Sequence, residues 1–203
     1  MMWSVFFLVP VGRGVEETRI SPDEYRQVFA RLYEHSKTRP YTVKTTEAPH
    51  YRRFVLEQGG DPLAAPKNRP QFPRSAFTAA MKTQSQEINV APQGNEGMAE
   101  VGQTRRSRAP LGITDGRGIM FVGHNGEIFP AGFLPIVCGV FPRDSVVDVY
   151  QNNPLFKLLQ NPDNYKGRCG KCSYRHVCGG SRSRAYALTG DPFAEEPDCN
   201  FEV

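Results

Sequence analysis

Three cysteines stand within ten residues, in "GRCGKCSYRHVCGG" from Gly167 to Gly180, and a fourth follows later. The spacing is Cys169-x2-Cys172-x5-Cys178-x20-Cys199. Four thiolates can hold an iron–sulfur cubane, commonly as a close group plus a distant member. They can also hold one zinc ion, but structural zinc sites usually draw their thiolates as two close pairs. Here the second pair is twenty residues apart, which favours the larger cluster and leaves zinc open. The chain has five cysteines in all. An odd count, tightly clustered, fits metal chemistry in a reducing compartment better than a disulfide framework.

The residues around the thiols carry a consistent charge. Between Asp163 and Asp191 there is no carboxylate, whereas Lys166, Arg168, Lys171, Arg175, Arg182 and Arg184 are all basic. Four thiolates exceed the charge of an oxidised cubane or a zinc ion, so nearby cations lower the cost of gathering them. Gly179 and Gly180 have no side chain to keep backbone N–H groups away from sulfur.

Several elements must position this stretch. Residues 3–9 form a nearly continuous apolar run, the pattern of a strand buried on both faces of a parallel sheet. Ser21, Pro22 and Glu24 supply an N-cap, a first-turn proline and a capping-box acid for a helix. Tyr25, Val28, Phe29, Leu32 and Tyr33 then recur at helical spacing. "YTVKTTE" (41–47) reads as a second strand, and "PHYRRFVLEQGG" as a second helix stopped at Gly59. Residues 1–60 therefore read as β-α-β-α, a piece of an α/β sheet that cannot by itself cover both faces and both edges.

Residues 61–110 are rich in Pro, Gln, Gly and Asn without a period and read as a disordered linker, with "RRSR" (105–108) a solvated charge run. Structure resumes in 111–203. Ile119–Val122 and Glu127–Phe129 read as a hairpin around Asn125-Gly126. Residues 145–152 and 154–160 read as short helices, the second capped by Asn153 with Pro154 in its first turn. "SRSRAYALTG" reads as a helix ending at Gly190.

The stretch "GRCGKCSYRHVCGGSRSRAYALTGDPFAEEPDC" resembles the C-terminal SPASM segment of radical S-adenosylmethionine (SAM) enzymes, most closely maturases of haem d1 and alternative haem synthesis. "GIMFVGHNGEIFPAGFLP" resembles the hairpin that opens such domains, and "WSVFFLVPVGRG" and "KTTEAPHYRRF" resemble late strands of the family's barrel. The implied fold is α/β (α+β overall): a partial (β/α) barrel in 1–60, the linker, and a small cysteine-rich domain. The resemblance implies that Cys169, Cys172, Cys178 and Cys199 ligate one auxiliary [4Fe–4S] cluster, serving electron transfer or structural support.

Arg182 stands where many SPASM domains have a further cysteine, and the hairpin lacks the cysteine that two-cluster members carry near Ala131. Cys138 reads as a buried thiol. The family's C-x3-C-x2-C motif, which leaves one iron open for SAM, does not occur in this sequence. The chain alone is therefore expected not to cleave SAM, and no catalytic side chain is assigned. SAM enters only with the other barrel half, which a separate chain could supply. Tetrapyrrole-like molecules and peptides are the implied substrates. The competing reading is a four-cysteine zinc module for protein interaction, without redox work.

The remaining features are modest. Glu47 and His50 follow the second strand, where α/β barrels place functional groups, but a helix cap and an exposed histidine explain them equally well. His124 and His176 read as solvated; Tyr174, Tyr186 and Phe193 read as packing around the cluster. A net charge of +4 and a mean hydropathy of −0.49 give no sign of nucleic-acid or membrane binding. The run Val5–Val9 is too short to cross a bilayer and no Lys or Arg precedes it, so a cytoplasmic protein is expected.

Overall fold

The computed structural model describes residues 2–64 and 112–203. The expected linker, including the basic run at 105–108, falls outside them apart from 61–64.

The first part is β1 (Met2–Phe6), α1 (Pro22–Thr38), β2 (Thr42–Thr46) and α2 (His50–Glu57), with a 3-10 turn at Gly12–Glu16. β1 and β2 pair in parallel, Met2 opposite Thr42 and Phe6 opposite Thr46. Ser21 caps α1 as its sequence requires. Its side chain accepts from the Glu24 N–H, and the Glu24 carboxylate accepts from the Ser21 N–H at 2.7 Å. Tyr25, Phe29 and Leu32 of α1 meet Phe7, Tyr51, Phe54 and Val55 in an aromatic core. Phe7 stacks on Tyr25 with ring centroids 4.8 Å apart.

The strand buried on both faces is not found among the described residues. Met2, Trp3 and Phe6 are exposed, while Val5 packs on the core and Phe7 and Val9 are buried. The cause is the sheet itself: two strands covered by helices on one side alternate in exposure, as any half-covered sheet does.

The second part opens with a small antiparallel sheet, β3 (Phe121–Val122), β4 (Glu127–Phe129) and β5 (Gly139–Val140). The Asn125-Gly126 turn forms as expected, with Gly126 at φ +85°. β5, which the sequence does not announce, adds the third strand. Next come α3 (Val146–Asn152) and α4 (Pro154–Gln160), with Asn153 ending one and capping the other. A short α5 (Gly167–Lys171) and α6 (Arg182–Thr189) complete the helices of the described residues, α6 ending at Gly190 with φ +75°. Ile128, Phe156, Leu134 and Leu159 fill this part's two apolar clusters. The fold thus mixes helices with two small sheets, one parallel and one antiparallel.

Arg184 ties the two parts together. Its guanidinium donates to the Leu8 carbonyl at 3.1 Å, the Glu47 carbonyl at 2.7 Å and Glu196 Oε1 at 3.0 Å. Asp198 Oδ2 lies 3.1 Å away, and Arg19 pairs with Asp198 from outside at 2.5 Å. No helix among the described residues is long and apolar enough to cross a membrane.

Candidate metal centre

Cys169, Cys172, Cys178 and Cys199 line one cavity, together with His50, Arg53, Gly179, Gly180, Glu196 and Phe201. It holds about 400 Å³ of space free of protein atoms, part of it open to solvent. Three local devices bring the sulfurs there. Cys169 sits on α5, a helix the sequence reading treats as loop. Cys178 precedes a double glycine at φ +72° and +65° that turns the chain into α6. A Cβ on Gly180 would lie 2.5 Å from Arg182 and 2.9 Å from the Glu196 Cβ, so only glycine fits. Cys199 returns because the segment after α6 lies along α5. There Lys166 N–H donates to the Phe193 carbonyl, Arg168 N–H to Glu195, and Glu196 N–H to Cys169 Sγ at 3.2 Å.

Two of the sulfurs accept a backbone N–H, Cys169 from Glu196 at 3.2 Å and Cys172 from Tyr174 at 3.4 Å, while the Gly180 and Phe201 N–H groups work against burial in lowering the Cys178 and Cys199 thiols. Such bonds stabilise thiolate sulfur and bound clusters alike. Burial pushes the Cys178 thiol up to about 12 and raises Cys199 as well. A metal must therefore displace protons from these two thiols. Among the described residues, no three of His, Cys, Asp or Glu converge where they could hold one metal ion. The sulfurs ring the cavity rather than meet at a point. Cys138 lies elsewhere, half-buried against the Ile128 cluster.

The cations behave differently from the sequence expectation. Carboxylates outside the basic stretch fold back and pair most of it. Lys166 meets Asp191 at 2.5 Å, Arg175 meets Asp163 at 2.7 Å, and Arg168 meets Glu195 at 3.1 Å. The cations that reach sulfur are Arg182, 3.7 Å from Cys169 Sγ, and Arg53 of α2, 3.8 Å from Cys199 Sγ. Arg182 is fully buried under the Tyr165 ring. No local pattern points to Arg53, because it stands 146 residues before Cys199 in the chain.

Of the alternatives the sequence leaves open for His50, the exposed histidine fails. It is 1% exposed, wedged against Tyr25 and Phe29 with ring centroids 5.1 and 4.9 Å away. Its burial holds the ring neutral, with a pKa lowered to about 4. His124 is exposed, and His176 points to Asp163 at 3.4 Å. Tyr186 and Phe193 pack on the Leu134 cluster and Tyr174 on Phe201, so none of the three lines the cavity.

Set against known proteins, the chain matches no protein-family model. The AdoMet-dependent heme synthase of Methanosarcina barkeri is 34% identical over 197 residues, covering 97% of this chain and 47% of that protein. The one from Nitratidesulfovibrio vulgaris is 30% identical over 202 residues, covering 98% of this chain and 46% of that protein. The chain is a homologue of part of these radical SAM proteins. This heme synthase homologue spans about half the length of the curated relatives it matches. The pre-heme d1 synthase of Dinoroseobacter shibae is 54% identical over 46 residues, 22% of this chain and 11% of that protein.

Glu47, at the end of β2, sits beside the centre at φ +60° and accepts from the Ser181 hydroxyl at 2.6 Å. Burial, reinforced by Asp115, pushes its carboxyl up to about 7. Between pH 4.5 and about 7 the unfolded homologue releases this proton and the folded one keeps it. Glu47 therefore favours the fold at low pH, and that contribution is lost as pH rises through this window. His50 acts in the opposite sense, since the unfolded chain gains a proton below pH 6.5 that the folded chain refuses. The Glu47→Gln variant should thus lose less stability than wild type on going from about pH 5 to about pH 7. The limit is about 1.4 kcal/mol per pH unit. Urea unfolding at both pH values measures this, and equal pH slopes would refute it.

Proposed function

We propose that this chain is the auxiliary-cluster portion of a radical SAM/SPASM oxidoreductase or maturase, with Cys169, Cys172, Cys178 and Cys199 holding one [4Fe–4S] cluster. The observation that carries the reading is that all four sulfurs, the distant Cys199 included, border one cavity, with backbone N–H groups donating to Cys169 and Cys172. The long Cys178-x20-Cys199 interval favours a cubane over a lone zinc ion, whose structural sites usually draw their thiolates as two close pairs. When bound, the cluster supplies a one-electron carrier or a structural brace. The protein's own part is to present four thiolates, shield them within a half-open cavity and set donors against them.

Reductive cleavage of SAM falls to a partner barrel half that carries the C-x3-C-x2-C motif, joined in the same polypeptide or supplied as a separate chain. A tetrapyrrole-like substrate is favoured over a peptide, since the longest matches are proteins named heme synthases.

Anaerobic reconstitution with iron and sulfide tests the reading. The expected product is brown, absorbs broadly near ~400 nm and carries about four irons per chain. A colourless protein binding about one zinc and no iron would replace this reading with a zinc interaction module.

A further inference from the structure

His50 and Arg53 stand one helical turn apart on α2, and both line the cysteine cavity. Both are buried, at 1% and 3% exposure, and both carry nitrogens without a partner: Nδ1 and Nε2 of His50, and Nε of Arg53. A buried donor left unmade forfeits its bond to water without replacement, so two on one wall call for an explanation.

Nearby acceptors are already engaged. Glu196 Oε1 accepts from Arg184 and the Asp198 N–H, and Oε2 accepts from the Ser181 N–H. Arg53 spends one terminal nitrogen on Glu57 and directs the other at Cys199 Sγ. The opposite face of the His50 ring is closed by Tyr25 and Phe29, which offer it no hydrogen bond. The wall thus has surplus donors facing a space ringed by sulfurs, and it fits an occupant rich in acceptors. Inorganic sulfide and thiolate sulfur are such acceptors.

We propose that His50 is a positioning residue for the cluster, donating a ring N–H to one of its sulfurs beside the Arg53 guanidinium and thereby raising its reduction potential. This rests on the cluster reading above and extends it to a residue outside the ligand set. Hydrogen bonds to cluster sulfur favour the reduced, more negative state.

The test uses the full chain, reconstituted and reduced anaerobically, with histidine labelled with ¹⁵N. Pulsed electron paramagnetic resonance should show a weak nitrogen coupling to the reduced cluster, and the coupling should vanish in His50→Gln. Potentiometric titration should place His50→Leu at a more negative potential than wild type. His50→Gln, which keeps an N–H donor, should lie between them or match wild type. Full iron loading with no histidine coupling in the wild type would overturn the inference while leaving the cluster reading intact. An unchanged potential in a fully loaded His50→Leu would overturn it as well. A wild type that binds no iron would overturn both readings. Because the labelling measurement needs no substitution in the wild type, it decides the matter even if His50→Leu fails to fold.

Discussion

Bound iron should fall from about four atoms per chain to fewer than about one when Cys199 is replaced by alanine. Cys199 is the proposed ligand with the least local support, reached only because the segment after α6 doubles back along α5. Its sulfur lies at the cavity wall, with the Phe201 N–H and the Arg53 guanidinium turned toward it. Removing it would leave three thiolates to hold the proposed cluster. Cys138→Ala is the matched control. That thiol is packed against the Ile128 cluster and bonds to the Ile136 carbonyl at 3.5 Å, away from the cavity. It should leave the iron count unchanged. Iron and sulfide analysis of both variants after identical reconstitution provides the measurement. Full loading of Cys199→Ala, or iron loss in Cys138→Ala, would mean the ligand set is wrong.

Arg184→Met should destabilise the protein by about 3–5 kcal/mol, the usual cost of removing one partner from a buried ionic network. Arg184 is fully buried, and its guanidinium serves two carboxylates and two main-chain carbonyls from three separate segments. Burial alone would push the Glu196 carboxyl up. The Arg184 charge, aided by the Ser181 N–H, outweighs it and holds that carboxyl below its ordinary range. Asp198 shows the other balance: burial wins and its carboxyl is raised despite Arg184. Without the guanidinium, Glu196, only 1% exposed, loses its main counter-charge. Denaturant unfolding of the reconstituted protein, wild type against variant, measures the difference. A change below about 1 kcal/mol would show that the network is not what joins the two parts.

The second prediction also bears on the first. Glu196 accepts from the Ser181 N–H through its side chain and donates its own N–H to Cys169 Sγ. The residue that Arg184 holds in place is thus the one that fixes the backbone beside a ligand. Loss of Arg184 should therefore loosen the centre as well as the fold.

Much of the local structure was legible in the sequence. Ser21-Pro22 with Glu24, Asn153-Pro154 and Gly190 mark helix ends through interactions spanning at most four residues, and each forms as read. The cysteine spacing identified four thiols, and the structure brings those four, and not Cys138, to one cavity. α5 and β5 were not legible. The first is five residues rich in Gly and Lys, and the second is two residues placed by pairing with β4.

The charge around the centre and the fate of α2 were decided by tertiary structure alone. "HYRRFVLE" carries two adjacent arginines, yet the helix buries His50, Tyr51, Arg53, Phe54 and Val55. One side of it meets the aromatic core of α1 and the other meets the cysteine cavity, so no face is left for water. Likewise the basic run from Lys166 to Arg184 looked unpaired because its carboxylate partners, chiefly Glu195, Glu196 and Asp198, lie beyond it in the chain. Caps, turns and ligand spacings are short-range and are written in order along the chain. Which charges are cancelled and which donors face sulfur depends on segments far apart in sequence, and only folding brings those together.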